Sequence, residues 1–213
     1  MPLTKEAIVN AIKKAIELGR GRRFKQSVEL IVVFKGFDPK SPEIKFRDAI
    51  VLPKGLGKTP RILVVANGDM LLKAKELGVD TLSDTELKSL SKREAKKLAR
   101  KYEWVLVKAD LMAMAGRILG PALGPRGKFP IPVPLNADIG AVVKRYLLST
   151  RLRNKEQPWV GCKVGTEDMN PEDIAENIMT VLEHIKSKIK RPLEVATKIY
   201  VKTTMGPPVE VMM

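Results

Sequence analysis

The segment 116–132 is dense in glycine and proline, and it limits the folds open to this chain more than any other stretch. Its sequence is Gly-Arg-Ile-Leu-Gly-Pro-Ala-Leu-Gly-Pro-Arg-Gly-Lys-Phe-Pro-Ile-Pro. Because proline disrupts helix interiors and central strands, we predict a long loop. Its apolar side chains favour an ordered loop, and long ordered loops are usually functional. Its charged side chains are all basic and, beside glycine, suit a phosphate-bearing ligand: Arg117, Arg126 and Lys128.

The overall charge predicts a polyanionic partner, because the 213 residues carry a formal net charge of +15. Hydrophobic residues make up 44% of the chain, enough to bury a core, so a disordered basic tail is excluded. The sequence has no apolar stretch of transmembrane length and no signal peptide, so we expect a cytoplasmic protein that does not bind membranes. Cys162 and His184 are each the single residue of their type, and neither predicts a metal site.

Two changes in sequence pattern divide the chain. Residues 61–156 alternate short apolar runs with helical segments, which is typical of an open α/β sheet with parallel strands. Residues 1–60 and 157–213 instead combine helices with β-branched strands in an α+β pattern. We therefore predict an α/β domain inserted into an α+β domain that both chain termini form. The net charges are +7 for residues 1–60, +9 for 61–157 and −1 for 158–213.

Four helix starts carry capping signals. Thr4 precedes a stripe of isoleucines at helical spacing. Ser83-Asp-Thr-Glu86 and Ser91-Lys-Arg-Glu94 match the capping box. Asn170-Pro-Glu-Asp173 combines a cap residue, proline at the first helical position and acidic residues in the first turn. Helices are expected to begin at these four places.

Three short motifs lie along the chain and are more specific together than any one alone. They are Arg23-Phe-Lys-Gln-Ser-Val-Glu29, the segment 116–132 and Thr203-Thr-Met-Gly-Pro207. In this order they resemble the hallmarks of the L-one family of ribosomal proteins, which belongs to the stalk of the large subunit. Bacterial members generally continue the middle motif with Asn-Pro-Lys, whereas this chain has Pro130-Ile-Pro-Val133 and is closer to the archaeal form.

The resemblance implies a function in the ribosome. It implies the nested two-domain layout and binding to a folded region of large-subunit ribosomal RNA, beside the exit path of deacylated transfer RNA, whose release the protein assists. Several members of the family also bind their own messenger RNA and repress its translation. On this basis we expect a non-catalytic protein of the large ribosomal subunit that uses no cofactor and is a monomer when free of RNA.

The resemblance also places the main RNA-binding surface on the domain of the chain ends. The matching residues are Arg23, Phe24, Glu29, Thr204, Met205 and Gly206. The auxiliary contacts are the cations of the glycine-proline segment: Arg117, Arg126 and Lys128. A threonine hydroxyl can bond a ribose 2′-OH, apolar Met205 and Phe24 can cover such a bond, and Glu29 can accept from a ribose hydroxyl or a base amine. Gly206 permits a close approach of the main chain to a sugar-phosphate surface.

Less specific explanations compete with these assignments. Without the family match, Thr204-Met-Gly would be an ordinary turn and Phe24 a core residue. The basic run within residues 88–101 is more often a solvated helix face than a specific site. Asp69 and Asp110 follow predicted parallel strands, where open α/β sheets place active sites, and suggest a nucleotide-dependent or RNA-processing enzyme. That alternative is weaker, because no glycine-rich phosphate-binding motif accompanies them and helix capping explains both residues.

Overall fold

The computed structural model describes residues 3–38, 41–154, 156–189 and 197–212, which form two compact units. The terminal unit comprises Met1–Lys58 and Leu148–Met213, and the nested unit comprises Thr59–Leu147. The helices are α1 (Lys5–Gly19), α2 (Gly68–Glu76), α3 (Asp84–Ser89), α4 (Lys92–Lys101), α5 (Met112–Leu123), α6 (Ile139–Leu147) and α7 (Pro171–Lys188). The strands are β1 (Ser27–Phe34), β2 (Arg47–Val51), β3 (Ile62–Val65), β4 (Asp80–Leu82), β5 (Trp104–Lys108), β6 (Pro130–Val133), β7 (Ser149–Arg153), β8 (Trp159–Thr166), β9 (Thr197–Thr203) and β10 (Val209–Glu210).

The terminal unit contains a six-stranded antiparallel sheet with the strand order β10-β9-β1-β8-β7-β2. Helices α1 and α7 pack together against it. Every second residue of β1 is buried, from Val28 to Phe34, and the residues between them are half-buried. The core lies between the helices and this face, and it includes Ile12, Leu30 and Ile178.

The predicted helix starts are confirmed. The Thr4 hydroxyl accepts a hydrogen bond from the N–H of Ala7 at 3.3 Å. Ser83 and Ser91 both form complete capping boxes with the glutamate three residues later. Asn170 caps α7, with proline at the first helical position. Asp69 and Asp110 are not N-caps, because Asn67 occupies that position before α2, and Asp110 lies within a 3₁₀ turn and pairs with Lys108 at 3.3 Å.

The nested unit contains the predicted parallel sheet, with strand order β4-β3-β5-β6. All four residues of β3 are buried, as expected for a strand covered on both faces. Trp104, at the start of β5, is buried and its ring lies 5.0 Å from the ring of Tyr146. Among the described helices of the whole chain, none is both long and apolar enough to cross a membrane.

The prediction of a loop over residues 116–132 was wrong for most of that segment. Helix α5 continues through Pro121 to Leu123, a 3₁₀ turn follows, and Pro130 and Pro132 lie in β6. Pro121 is tolerated because it lies in the last turn of α5 with its ring exposed. The prolines of β6 are tolerated because this is an edge strand. Burial of one side of α5 therefore outweighs the low helix propensity of the segment: Ala115, Leu119, Ala122 and Leu123.

The second boundary between the units lies earlier in the chain than the predicted one. Strand β7 pairs along its whole length with β2, from Arg47 opposite Arg153 to Val51 opposite Ser149. It therefore belongs to the sheet of the terminal unit, which resumes at Leu148 and not near residue 157. The sequence concealed this strand, because Ser149–Arg153 has two arginines and a single large apolar residue.

Candidate nucleic-acid interface

The two chain ends meet where β9 leaves the sheet beside the start of β1. Glu29 lies opposite Lys202, and the N–H of Thr204 donates to the carbonyl of Ser27 at 3.0 Å. The turn after β9 is thereby held against the segment before β1. We define the terminal-turn cluster as Phe24, Gln26, Glu29, Thr204, Met205 and Gly206. It contains five of the six predicted main site residues, and Phe24 belongs to it through its place in the chain two residues before Gln26.

Gln26 anchors this cluster from inside the protein. Its side chain is 1% exposed, and its Nε2 donates to the carbonyl of Gly19 at 2.7 Å and to Glu167 at 3.2 Å. Its Oε1 accepts from the N–H of Met205 at 3.0 Å. Glu167 also accepts from the backbone N–H of Gln26 at 2.8 Å. One side chain therefore joins the end of α1, the turn after β8 and the terminal turn.

A close contact between two glycines and a threonine fixes the position of the same turn. A Cβ atom placed on Gly206 would lie 2.3 Å from Oγ1 of Thr203 and 3.2 Å from Cα of Gly19. A Cβ on Gly19 would lie 2.1 Å from the same Oγ1. Thr203 is fully buried, and its Oγ1 has no hydrogen-bond partner among the described residues. Gly206 thus has an internal reason to be glycine, in addition to any close approach by RNA.

The outer side of the cluster combines apolar and polar groups. Phe24 is 51% exposed and Met205 is 56% exposed, so Phe24 is not a core residue. The Thr204 hydroxyl accepts from the N–H of Ser27 at 3.2 Å and lies 3.4 Å from a carboxylate oxygen of Glu29. A hydroxyl and a carboxylate therefore lie side by side next to the exposed side chain of Met205, an arrangement that suits ribose hydroxyls and base edges.

Three basic side chains belong to the segments that carry the cluster. Arg23 is exposed in the link between α1 and β1, next to Phe24 in the chain. The Nζ of Lys202 donates to the carbonyl of Thr204 at 3.0 Å. Lys25 forms an ion pair with Asp168, and this hydrogen bond lowers the pKa of the Asp168 carboxyl. Lys25 and Lys202 thus each bind another part of the protein itself.

The three auxiliary residues all lie in the nested unit. Arg117 is exposed on α5, and Arg126 is exposed in the 3₁₀ turn that follows. Lys128 is half-buried, and its Nζ donates to the carbonyls of Ala99 at 2.9 Å and Tyr102 at 2.6 Å. Lys128 therefore satisfies carbonyl groups at the end of α4, a structural role that its place in the motif did not indicate.

Sequence reasoning missed Gln26, Gly19 and Glu167 as organisers of the cluster. One signal was present for Gln26, because it continues the buried alternation of Val28 and Leu30 as a polar residue.

The lone histidine also has a structural partner, since His184 Nε2 lies 3.1 Å from Asp48. Burial opposes ionisation of Asp48, but hydrogen bonds from Lys188 and His184 outweigh it and lower the pKa of its carboxyl. Within the described residues, no group of three acidic, histidine or cysteine side chains could hold a metal ion.

Comparison with known proteins gives one consistent match. The model of the ribosomal protein L1p/L10e family matches residues 9–207. A protein of Staphylothermus marinus is 55% identical over 214 aligned residues, which cover all of both chains. A protein of Aeropyrum pernix is 53% identical over 96% of this chain and 94% of its own. One of Hyperthermus butylicus is 49% identical over 97% of this chain and 96% of its own.

All three relatives are archaeal, and each is named large ribosomal subunit protein uL1. The family match extends through both motifs of the terminal-turn cluster and through the segment 116–132. The chain therefore belongs to the ribosomal protein L1p/L10e family in its archaeal form and is, as its motifs predicted, a cytoplasmic ribosomal protein of the large subunit.

Proposed function

We propose that the terminal-turn cluster is the surface with which this ribosomal protein binds a folded segment of large-subunit ribosomal RNA. The observation that carries the proposal is the exposed Met205 beside the paired polar groups of Thr204 and Glu29, on a turn that is anchored by Gln26. Phe24, two residues before Gln26 in the chain, is also exposed. Exposed apolar side chains that form a patch rimmed by polar groups are typical of contact surfaces. A net charge of +15 makes a nucleic acid the fitting partner.

Exclusion of water would strengthen the polar contacts of the cluster. A hydrogen bond between protein and RNA gains little while water competes for both groups. If Phe24 and Met205 pack on the sugar surface, they exclude water from bonds made by Thr204 and Glu29. Glu29 carries negative charge and therefore accepts from ribose hydroxyls or base amines, not from phosphates. The cluster would then select RNA over DNA, because the 2′-OH is its natural partner.

The cations would supply a different part of the affinity. Both units contribute to this part, because the nested unit Thr59–Leu147 carries a net charge of +7 and the terminal unit carries +8. Charge neutralisation of phosphates is sequence-independent and weakens with salt, whereas a few shaped contacts set specificity. We therefore assign specificity to the terminal unit and much of the nonspecific attraction to exposed cations such as Arg117 and Arg126.

The proposal includes two further RNA partners that the family resemblance implies. One is deacylated transfer RNA, whose release from the ribosome the protein assists. The other is its own messenger RNA, which it represses by offering the same terminal-turn cluster to an RNA that folds like the ribosomal site. The chain acts in both cases without catalysis or cofactor, as a monomer when free of RNA.

The test is direct binding of the full chain to a fragment of large-subunit ribosomal RNA. Phe24→Ala and Met205→Ala should each weaken binding about tenfold, while binding to random duplex RNA stays the same. Leu72→Ala is the matched control, because Leu72 is 58% exposed on α2 of the nested unit. If all three variants bind the ribosomal fragment as tightly as the parent chain does, the assignment is overturned.

A further inference from the structure

A concave pocket lies in the face of the six-stranded sheet that is opposite to α1 and α7. Its volume is about 420 Å³, within the range of small-ligand sites. Its lining includes outward-facing residues of β1, β7 and β8: Glu29, Ile31, Arg151, Trp159, Gly161 and Lys163. Lys202 of β9 also lines it. The proposed contacts of the terminal-turn cluster use only its edge, at Glu29.

Trp159 gives the pocket an aromatic side. It is 42% exposed, whereas Trp104, the second tryptophan of the chain, is 3% exposed. A Cβ atom placed on Gly161 would lie 3.5 Å from Cζ3 of Trp159 and 3.8 Å from a side-chain carbon of Ile31. The indole therefore extends along β8 over Gly161, where the missing side chain leaves room for it. An aromatic ring lying on an open sheet is a stacking surface for a nucleobase.

The charges around the pocket suit a phosphate. Arg151, Lys163 and Lys202 contribute three cations to its lining, against the one carboxylate of Glu29. Ile31 supplies an apolar floor between them. Base stacking on an aromatic ring and a cationic rim for the backbone are the two recurring features of single-strand RNA sites.

The pocket is continuous with the terminal-turn cluster. Glu29 belongs to both, and Lys202 lines the pocket while its Nζ donates to the carbonyl of Thr204 at 3.0 Å. Glu29 and Ile31 are two residues apart on one strand, a separation of about 7 Å. A nucleotide chain that contacts Thr204 is therefore within reach of the pocket.

We propose that this pocket binds one unpaired nucleotide of the bound RNA, with its base stacked on Trp159 and its phosphate near Arg151 and Lys163. The inference rests on the proposed RNA-binding function of the terminal-turn cluster, and it extends that surface along β1 and β8. Continuity with the cluster favours an RNA nucleotide over an acidic peptide, which would match the charge but has no base to stack.

Tryptophan fluorescence of the full chain tests the proposal directly. Titration with the ribosomal RNA fragment should quench the emission of Trp159, because a base stacked in van der Waals contact with the indole quenches its excited state. The quenching should vanish in Trp159→Phe, since the remaining Trp104 is buried in the nested unit. Trp159→Ala should weaken binding of the fragment about tenfold. Met179→Ala is the matched control, because Met179 is 38% exposed on α7, which packs on the other face of the sheet.

The outcomes separate this inference from the function on which it rests. If the parent chain binds the fragment, but its fluorescence is unchanged and Trp159→Ala binds equally well, the pocket proposal is overturned and the terminal-turn assignment stands. If Phe24→Ala and Met205→Ala bind like the parent while Trp159→Ala does not, the terminal-turn assignment fails and the stacking site remains. Quenching by an acidic peptide, without quenching by RNA, would also overturn the nucleotide assignment.

Discussion

The buried side-chain oxygen of Gln26 accepts a hydrogen bond from the backbone N–H of Met205 at 3.0 Å, although the two residues belong to opposite ends of the chain. The same side chain donates to the carbonyl of Gly19. The conformation of the terminal turn is thus set by the fold of the protein itself. A surface that is already shaped before binding loses less conformational entropy when RNA docks.

Replacement of Gln26 tests this anchor. Gln26→Met keeps a similar volume but leaves the carbonyl of Gly19 and the N–H of Met205 without their partner. We expect the free energy of unfolding to fall by about 1–3 kcal/mol, because a buried polar group left unpaired loses its compensation for desolvation. Denaturant unfolding followed by circular dichroism measures the change. Gln157→Met is the control, since Gln157 is exposed and its substitution should leave the stability unchanged.

Two glycine positions should respond to alanine in opposite directions. Gly206→Ala would place a methyl group 2.3 Å from Oγ1 of Thr203, so we expect a loss of about 1–3 kcal/mol of stability. Gly116→Ala adds a methyl group to the exposed side of α5, where no atom beyond its chain neighbours and the backbone of the same helix lies within 4 Å, and should stabilise by about 0.5–1 kcal/mol. Thermal unfolding of both variants measures this contrast.

Steric crowding at Gly206 also predicts a rescue. Thr203→Ala removes the crowding hydroxyl, so the double variant Gly206→Ala/Thr203→Ala should recover part of the stability that Gly206→Ala loses. If Gly206→Ala is as stable as the parent, a methyl group fits at this position, and the proposed close approach of Gly206 to Thr203 and Gly19 is wrong. Any effect of Gly206 variants on RNA affinity must therefore be measured together with their stability.

The parts of the fold that could be predicted from sequence are those with a strong local pattern. The buried run Ile62–Val65 and the capping box at Ser83 each specify their element without help from distant residues. A helix was expected after Asp110, but its continuation from Gly116 to Leu123 was not, because Gly116, Gly120 and Pro121 oppose a helix locally. The stability of this part comes from burial of residues such as Leu119. Strand β7 was missed because pairing with β2 defines it, and an apolar pattern does not.

The candidate site shows the same division. The residues of the terminal-turn cluster were identified through short motifs, but their mutual contacts depend on pairing between β1 and β9. The anchoring role of Gln26 and the crowding at Gly206 involve Gly19, which belongs to neither motif. The stacking pocket lies on the face of the sheet that the helices leave uncovered. The alternation of side chains along a strand separates two faces but does not tell which of them the helices cover.

The single cysteine should report on unfolding of the terminal unit. Burial raises the pKa of the Cys162 thiol to about 12, from an ordinary value of 9.0. In the folded protein at pH 8 the thiol therefore stays protonated and should react with thiol reagents only as fast as the unit opens. Labelling rates with and without denaturant measure this. Rapid labelling of the folded protein would contradict the burial of this thiol.

The sign of the pH effect on stability follows from the same shift. Well below pH 9 the thiol is protonated in both the folded and the unfolded chain, so it adds no pH dependence to the free energy of unfolding. Between pH 9 and about 12 the unfolded chain loses its proton first, and stability falls as pH rises. Cys162→Ala should remove this part of the alkaline loss, as seen by unfolding at several pH values.

The terminal unit should fold without the nested unit. The chain leaves this unit after Lys58 and returns to it at Leu148. The N–H of Leu52 donates to the carbonyl of Leu148 at 2.9 Å, so the returning chain lies close to the segment that leads out of the unit. Met1–Lys58 joined to Leu148–Met213 by a short glycine-serine linker should retain most of the specific RNA affinity, with a shallower dependence on salt. Binding of the ribosomal fragment by the isolated nested unit, and not by the joined ends, would show that the two surfaces are reversed.

Salt should distinguish specific contacts from phosphate contacts. The loss caused by Phe24→Ala should be about the same at low and high salt, because it removes an apolar contact that shields hydrogen bonds. Lys97→Ala, on the exposed side of α4, removes a solvated charge, so its effect should be equal for ribosomal and random RNA and should fade as salt rises. Affinities of both variants at two salt concentrations decide between these behaviours. If the Phe24→Ala loss disappears at high salt as the Lys97→Ala loss does, the terminal-turn cluster contributes only general electrostatic binding.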